Sequence, residues 1–214
     1  MINNIPTYLI GCDELSERKQ ITFNHLKENN VNFNYWRGLY GRNSGLMTTI
    51  VHNYWPDGRP YYISPGIASL TLNHLFLYQH CLINNYEQVV VLEDDVHLEN
   101  GWQEKMSSML KNLPKDYDMV YLGWCHEGQG RNLKHVSDCL YNQVDGCVFG
   151  THALLISKKG LKILIDHNRI LEKPIDVQIC LWSLPRMKYF VCYPSLITQK
   201  SQWKEKERIW VTSL

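Results

Sequence analysis

The sequence predicts a single α/β domain spanning residues 1–214. Segments typical of strands alternate with segments of helical periodicity, and no internal repeat or linker-like change of composition divides the chain. A chain of this length buries roughly 70% of the surface that its unfolded form exposes, so it can form a core without disulfide or metal staples. Its 22 Lys and Arg residues balance 21 Asp and Glu residues, which argues against nucleic acid as a partner.

The first predicted elements follow an alternating strand and helix pattern. Apolar and β-branched residues predict a strand at Thr7–Gly11, and a polar helix with a few apolar residues for burial follows from Ser16 to Asn29. A second strand is predicted at Phe33–Arg37. Turn signals then make Gly41–Pro60 the most loop-like stretch of the chain.

The next helix has clear start and stop signals. Ser64 can cap it, Pro65 suits its first position, and the pair Asn84-Asn85 ends it. Val89–Leu92 is then a continuous apolar run, typical of a strand that is covered on both faces. The later elements are predicted, in order, as a helix capped by Asn100, a strand at 118–122, a strand at 147–157, a helix at 157–166, a helix at 175–184 and a strand at 188–193.

Three consecutive acidic residues, Glu93, Asp94 and Asp95, directly follow the Val89–Leu92 run. Ligands of open α/β sheets bind beyond the carboxyl ends of the strands, which places these acids at a candidate ligand edge. Clustered carboxylates raise one another's pKa unless a cation neutralises them. Oxygen ligands of this kind suit Mg²⁺ or Mn²⁺, with substrate phosphates completing the shell. The pattern therefore predicts a metal site for a phosphorylated substrate; the alternative is a solvated turn that caps the next element.

Competing site classes lack their motifs. A phosphatase of the haloacid type needs an Asp-x-Asp-x-Thr/Val nucleophile motif, which Asp94-Asp95-Val96-His97 does not supply. No GxGxxG motif follows the first strand, so a dinucleotide site is not indicated. The sequence has no glycine-rich phosphate loop that would support a nucleotidyltransferase or a phosphohydrolase.

Six blocks in order resemble the family twenty-five glycosyltransferases, which comprise bacterial lipooligosaccharide galactosyltransferases and procollagen galactosyltransferases. The second block departs from the family's Gly-Glu-Ile-Gly-Cys-Ala-Leu-Ser-His helix, because the Glu and the Cys are absent and Asn73 stands in place of the Ser. The blocks are Glu17-Arg18-Lys19, Gly66–His74, Val91–Asp95, Asp118–Gly123, Gly150–Ala153 and Pro174-Ile175-Asp176.

The resemblance implies a GT-A fold, a mixed sheet flanked by helices that binds a nucleotide sugar. Glu93, Asp94 and Asp95 then form the family's DxD-like motif. In it, either Asp94 contacts the ribose and Asp95 the Mn²⁺ (or Mg²⁺), or both share the metal. The implied reaction is metal-dependent and inverting, and moves a hexose, galactose or glucose, from a UDP-sugar to a hydroxyl of a glycan or hydroxylysine-type acceptor. The alternative is a catalytically inactive GT-A domain that acts as a binding or scaffolding module.

The resemblance also implies a catalytic base and a basic donor contact. Inversion in one displacement needs a general base for the acceptor hydroxyl, and Asp176 matches the family's acidic position before its acceptor-side helix. The alternative for Asp176 is a carboxylate that the helix dipole stabilises. Arg18 matches an arginine of the family's first helix and is expected to contact uracil or phosphate; a solvated helix charge is the alternative.

Further donor-site residues are assigned by the same resemblance. Asn73 and His74 stand at the family's Ser-His pair and are expected to bind the nucleotide sugar. Gln199 lies in a segment that resembles the family's C-terminal Gln-and-Ser segment. It is expected to be a third metal ligand or a diphosphate contact, and surface polarity is its alternative explanation.

The acceptor pocket is expected on variable loops, at 41–60 and 124–137. Thr151 and His152 follow a probable strand end and are expected to line the sugar or acceptor pocket, as is Trp124. For Trp124 and His152, packing is the common alternative. The charged and aromatic segment Trp203–Trp210 is a further candidate for acceptor contact.

Seven scattered cysteines, none in a CxxC pair, fit reduced thiols in a reducing compartment. The start of the chain has neither the basic nor the apolar features of a signal peptide, and no apolar run approaches membrane-spanning length. A cytoplasmic protein is therefore expected, and the asparagine-rich composition suggests a bacterial or viral origin. A zinc site is a minor alternative, since its candidates match no common structural spacing: Cys125, His126, His135, Cys139 and Cys147.

Overall fold

The computed structural model describes residues 4–41, 45–54, 63–125, 132–143 and 146–199. In these ranges no helix has the length and apolar character needed to cross a membrane. The strands are β1 (Thr7–Gly11), β2 (Asn34–Arg37), β3 (Gln88–Glu93), β4 (Val96–Leu98), β5 (Met119–Cys125), β6 (Leu133–Ser137), β7 (Leu140–Gln143), β8 (Phe149–Ser157), β9 (Tyr189–Cys192) and β10 (Ile197–Gln199). The helices are α1 (Ser16–Glu28), α2 (Gly45–Tyr54), α3 (Pro65–Ile83), α4 (Trp102–Asn112), α5 (Lys158–His167) and α6 (Ile175–Gln178).

Eight of these strands form one mixed sheet in the order β2-β1-β3-β8-β5-β9-β7-β6. β1 runs parallel to both β2 and β3, whereas β8 runs antiparallel to β3 and β5. β4 and β10 form a separate antiparallel pair. The mixed α/β architecture with flanking helices confirms the predicted fold class; that residues 1–214 form a single domain stays a prediction.

The side chains of β3 explain why its sequence is continuously apolar. Val90 and Leu92 pack into a core on one face of the sheet, with residues of α1 and α4. Val89 and Val91 pack into a core on the other face, with residues of α3 and α5. Because successive side chains of a strand point to opposite faces, a sheet covered on both sides needs apolar residues at every position. β3 is therefore a fully buried strand that ends at the acidic motif.

Helix α3 begins and ends at the predicted signals. The Ser64 hydroxyl accepts a hydrogen bond from the amide of Ile67, 3.2 Å away, and Pro65 is the first helical residue. Asn84 follows the last turn, and Asn85 takes a left-handed conformation with φ of 57°. This fixed helix places Asn73 and His74 on the side that faces the ends of β1 and β3.

Two predictions about local structure are wrong, and one predicted helix is present with a change of helix type. The stretch Gly41–Pro60 contains helix α2, because its turn signals flank a core of helix-compatible residues; residues 42–44 and 55–60 lie outside the described ranges. Gly101, with φ of 71°, precedes α4 as its cap residue in place of Asn100. The helix predicted at 175–184 changes type after four residues, since α6 passes into a π-helical turn at 179–183.

Four short strands were not predicted: β4, β6, β7 and β10. β4 and β10 have three residues each, which is too short for an alternating pattern to be recognised. Their pairing sets Gln199 opposite Val96, beside the acidic motif. Gly123 of β5 permits the close approach of β10, because a Cβ at this position would collide with the carbonyl oxygen of Ile197.

The prediction that all cysteines are reduced is wrong for one pair. Cys147 and Cys180 form a disulfide with a Cα–Cα distance of 5.3 Å. It joins the segment directly before β8 to the π-helical turn at 179–183. The partners are 33 residues apart, so only the fold brings them together. The disulfide also removes Cys147 from the zinc alternative, of which His126 lies outside the described residues.

Candidate nucleotide-sugar site

A cavity of about 220 Å³ opens at the carboxyl ends of β1 and β3. Its lining includes the polar and charged side chains of Arg18, Asn73, Gln199 and the three acids of the motif. The other walls are largely apolar and include Ile10, Leu15, Leu39 and Leu70. An apolar pocket with a few convergent polar groups is the common form of a small-molecule site.

Glu93 is the buried anchor of the acidic motif. Its Oε1 lies 3.0 Å from His74 Nε2 and accepts a hydrogen bond of 2.7 Å from the Thr151 hydroxyl. Burial works to raise the pKa of Glu93, but these hydrogen bonds and the attraction to His74 outweigh it and lower the pKa to about 2. One carboxylate thus joins β3, α3 and β8 at the edge of the cavity.

Arg18 bridges the other two acids. Its Nη2 lies 2.6 Å from Asp94 Oδ1 and 3.0 Å from Asp95 Oδ2. Helix α1 supplies this arginine from its first turn, while the hydroxyl of Thr22, one turn later, donates to the backbone oxygen of Asp94 at 2.6 Å. Two residues of α1 therefore set the position of the acidic turn after β3.

Burial raises the pKa of both Asp94 and Asp95. For Asp95 the pKa rises to about 6, because burial and the charges of Glu93 and Asp94 outweigh the attraction of Arg18 and His152. Two carboxylates with raised pKa values at one cavity wall indicate a functional site, since such an arrangement gains from a further cation.

The oxygens of Asp95 fit a metal ligand. Its Oδ1 is buried and has no hydrogen-bond partner among the described residues. Its Oδ2 accepts a hydrogen bond of 3.2 Å from Gln199 Nε2. In the described ranges, no group of three or more His, Cys, Asp or Glu side chains is arranged around one metal position. Two carboxylates nevertheless suffice for Mg²⁺ or Mn²⁺ where substrate phosphates supply further oxygens.

Asn73 and His74 are consecutive residues of α3 whose side chains have different partners. The side chain of Asn73 accepts from the amide of Leu39 at 2.7 Å and donates to its carbonyl at 3.1 Å, which holds the segment after β2 against the cavity. His74 is fully buried between Glu93 and the hydroxyl of Tyr78. Asn73 lines the cavity, whereas His74 reaches it through Glu93; their nucleotide-sugar-binding roles stay predictions.

Three further predicted site residues lie on β8 (Thr151 and His152) and on β5 (Trp124), and each is held by a partner within the protein. Thr151 is buried, and its hydroxyl donates a hydrogen bond to Glu93. His152 is also buried, with Nε2 3.2 Å from the carbonyl oxygen of Ile197 and with burial lowering its pKa. Trp124 donates its indole N–H to the carbonyl of Cys192 at 2.9 Å. None of the three lines the cavity as described, so their predicted contacts with sugar or acceptor stay predictions.

Asp176 lies outside the cavity, at the start of α6. Its Oδ1 accepts from the amide of Val177 at 2.8 Å and its Oδ2 from the amide of Gly150 at 3.3 Å. Burial nevertheless raises the pKa of Asp176. Gly150 precedes Thr151 near the start of β8. These two neighbouring residues contact Asp176 and Glu93 respectively, which links Asp176 to the acidic motif.

Sequence reasoning missed two residues that shape the site. Thr22 holds the backbone of Asp94, and Gly11 allows the end of β1 to approach the side chain of Asp94, where a Cβ would lie 3.2 Å from its Cβ. No motif marks either position, because both contacts depend on how α1 and β1 pack against β3. Parts of the predicted acceptor loops, 126–131 among them, and the segment 203–210 lie outside the described residues.

The fold has the GT-A-like architecture of known glycosyltransferases. A solved structure of a glycosyltransferase involved in the glycosylation of the major capsid of PBCV-1 matches with a TM-score of 0.50 and 14% identity, over 92% of this chain and 93% of that one. The glycosyltransferase GlyE of Streptococcus pneumoniae TIGR4 also gives a TM-score of 0.50, at 12% identity, over 97% of this chain and 57% of that one. The predicted GT-A fold is confirmed.

The chain belongs to glycosyltransferase family 25. The profile of this family, described as "Glycosyltransferase family 25 (LPS biosynthesis protein)", matches residues 4–179. A "Glycosyltransferase 25 family member" of Aedes aegypti is 25% identical over 177 residues, which is 79% of this chain. The chain spans 28% of the length of that relative. The resemblance inferred from the six sequence blocks is thus confirmed at the level of the family.

Replacing Thr151 by Val tests the anchoring of Glu93. Loss of the hydroxyl leaves the carboxylate with one fewer donor, and we expect the free energy of unfolding at pH 7 to fall by about 1.5–3 kcal/mol, as measured by urea denaturation. Thr151→Ser retains the hydroxyl and should keep most of the stability.

The pH dependence of this difference has a defined sign. The pKa of Glu93 is about 2 in the folded protein against 4.5 for a free side chain, so its stabilisation is complete above pH 4.5 and is lost as the pH falls towards 2. The difference between wild type and Thr151→Val should therefore shrink over this interval. A difference that stays constant would show that the hydroxyl does not act through the ionised carboxylate.

Proposed function

We propose that the chain is a metal-dependent, inverting glycosyltransferase that moves a hexose, galactose or glucose, from a UDP-sugar to a hydroxyl of a glycan or hydroxylysine-type acceptor. The observation that carries the proposal is the pair Asp94 and Asp95, which ends a buried strand at a cavity and presents the unpartnered Oδ1 of Asp95. Membership of family 25 supports the reaction class.

Asp94 and Asp95 are the residues that would hold Mn²⁺ or Mg²⁺, and Gln199 stands beside them. The metal would supply charge stabilisation for the departing diphosphate. In the structure Gln199 donates its amide N–H to Asp95 and its Oε1 lies 3.6 Å from the thiol of Cys125. For Gln199 to bind the metal directly, its side-chain amide would have to rotate so that Oε1 faces the ion. We therefore propose that the main role of Gln199 is to orient Asp95.

The apolar walls suit the other end of the donor. Ile10, Leu15, Leu39 and Leu70 offer apolar surface on which a nucleobase can be buried, and the polar and charged lining residues suit the diphosphate. Pockets that enclose a whole drug-sized ligand span roughly 300–1,000 Å³, whereas this cavity measures about 220 Å³. The described residues would thus enclose only part of a nucleotide sugar.

Asp176 is our candidate for the base that takes the proton of the acceptor hydroxyl. Burial raises the pKa of Asp176, which suits this task because a base with a higher pKa binds the proton more strongly. The two backbone amides that bind its oxygens fix the carboxylate at the end of β8. An acceptor would have to reach Asp176 from the side of Gly150.

The alternative function is a binding or scaffolding module without catalytic activity. The departure of the Gly66–His74 block from the family pattern favours it, since the Glu and the Cys of that pattern are absent. Metal-dependent binding of UDP without turnover of any UDP-sugar would support this alternative.

Release of UDP from a panel of UDP-sugars, with and without Mn²⁺, tests the proposed function. We expect one sugar to be turned over only with metal, and Asp95→Asn to reduce the rate by about 100-fold or more, since it removes a carboxylate that would hold the metal, whose charge would stabilise the departing diphosphate. Asp116→Asn is the matched control, because Asp116 is exposed and pairs with Lys188. It precedes the start of β5 and does not line the cavity. Absence of both turnover and UDP binding would contradict the proposal.

Replacing Asp176 by Asn tests the base. We expect kcat to fall by about 10²–10⁴-fold, with Mn²⁺ and UDP affinities unchanged because Asp176 does not line the cavity. In the wild type the rate should decline as the pH falls through the raised pKa of Asp176, and the remaining activity of the variant should lack this decline. An unchanged kcat would assign Asp176 to helix stabilisation alone.

A further inference from the structure

Arg18 already acts as a cation between the two carboxylates that are assigned to the metal. A single guanidinium nitrogen contacts Asp94 at 2.6 Å and Asp95 at 3.0 Å. The side chain of Arg18 is 29% exposed, against 8% and 17% for the two acids. The side chain of Arg18 is therefore more accessible to solvent than the two carboxylates that it bridges.

The balance of charge differs between the protein with and without metal. Without metal, the positive charge of Arg18 offsets part of the negative charge of Asp94 and Asp95. These two carboxylates lie close together in a partly buried site, where they would otherwise repel each other. A divalent cation neutralises the pair by itself. Arg18 then adds a further positive charge beside the ion, and like charges repel strongly where little water screens them.

A nucleotide sugar supplies a new partner for Arg18. The guanidinium group suits phosphate oxygens because its N–H groups form a planar fork. Arg18 lines the cavity that is assigned to the donor, so its side chain can turn from the carboxylates to a diphosphate within the same cavity. Lys19, the next residue, is held instead by Asp13 at 2.7 Å.

We propose that Arg18 is an exchangeable counter-ion, an inference that rests on the proposed function. In the metal-free protein it pairs with Asp94 and Asp95, and when metal and donor bind it moves to the donor diphosphate. Metal alone must compete with Arg18, whereas nucleotide offers Arg18 a better partner. The two ligands therefore favour the same state of Arg18, and each increases the affinity of the other.

Two neutral variants, Arg18→Gln and Arg18→Met, test this coupling through binding rather than turnover. Mn²⁺ affinity is measured from the electron paramagnetic resonance signal of free Mn²⁺, and UDP affinity by calorimetry at saturating Mn²⁺. We expect Mn²⁺ alone to bind about fivefold more tightly to the variants and UDP to bind about tenfold more weakly, within the usual range of coupling between sites. A merely structural role would weaken both.

Two variants serve as controls. Arg18→Lys keeps the positive charge and should bind Mn²⁺ alone with nearly wild-type affinity. Arg169→Gln removes an exposed arginine that pairs with Asp166, and should change neither affinity. Circular dichroism establishes that each variant is folded, and Met preserves the aliphatic stem of Arg18 if Gln proves disruptive. Unchanged or weaker binding of Mn²⁺ alone to the neutral variants would overturn the inference.

The outcomes separate this inference from the proposed function. If wild-type protein binds UDP with no dependence on Mn²⁺, the proposed metal site fails and the inference fails with it. If wild-type binding depends on Mn²⁺ and Asp95→Asn abolishes that dependence, the metal site stands. In that case, neutral Arg18 variants that bind Mn²⁺ no more tightly would overturn the exchange of Arg18 alone.

Discussion

The buried carboxylate of Glu93 is the interaction on which the site depends. It ends a strand with apolar side chains on both faces, and it is held by His74 from α3 and by Thr151 from β8. A buried charge is costly unless it is paired and hydrogen-bonded, so these three elements must meet at this point. Their meeting fixes the direction in which the chain turns, and this turn delivers Asp94 and Asp95 to the cavity.

The charges around this anchor fall into two groups with different tasks. Glu93 has its partners within the protein and its pKa is lowered, whereas Asp94 and Asp95 have raised pKa values and share Arg18. A satisfied carboxylate stabilises the fold, while the under-neutralised pair gains from a further cation. The division of one acidic run into an anchor and a pair that is proposed to bind metal follows from burial and partners, which a sequence does not display.

The sequence was sufficient for the elements that have strong local signals. The caps of α3 and the apolar run of β3 follow from local chemistry, and the acidic run at the end of that strand located the site. The short pair β4 and β10, the disulfide of Cys147 with Cys180, and the support of Asp94 by Thr22 depend on contacts between distant segments. The placement of His74 and Thr151 behind Glu93, away from the open cavity, has the same origin.

The most direct test of the account is the position of the metal in crystals soaked with Mn²⁺ and UDP. Anomalous scattering recorded at the manganese edge locates the ion independently of the protein density. The account predicts a peak at coordination distance from Asp95 Oδ1 and from oxygens of the diphosphate, with the nucleobase against the wall formed by Ile10 and Leu70. UDP bound in this cavity without a manganese peak, or a peak remote from Asp94 and Asp95, would contradict it.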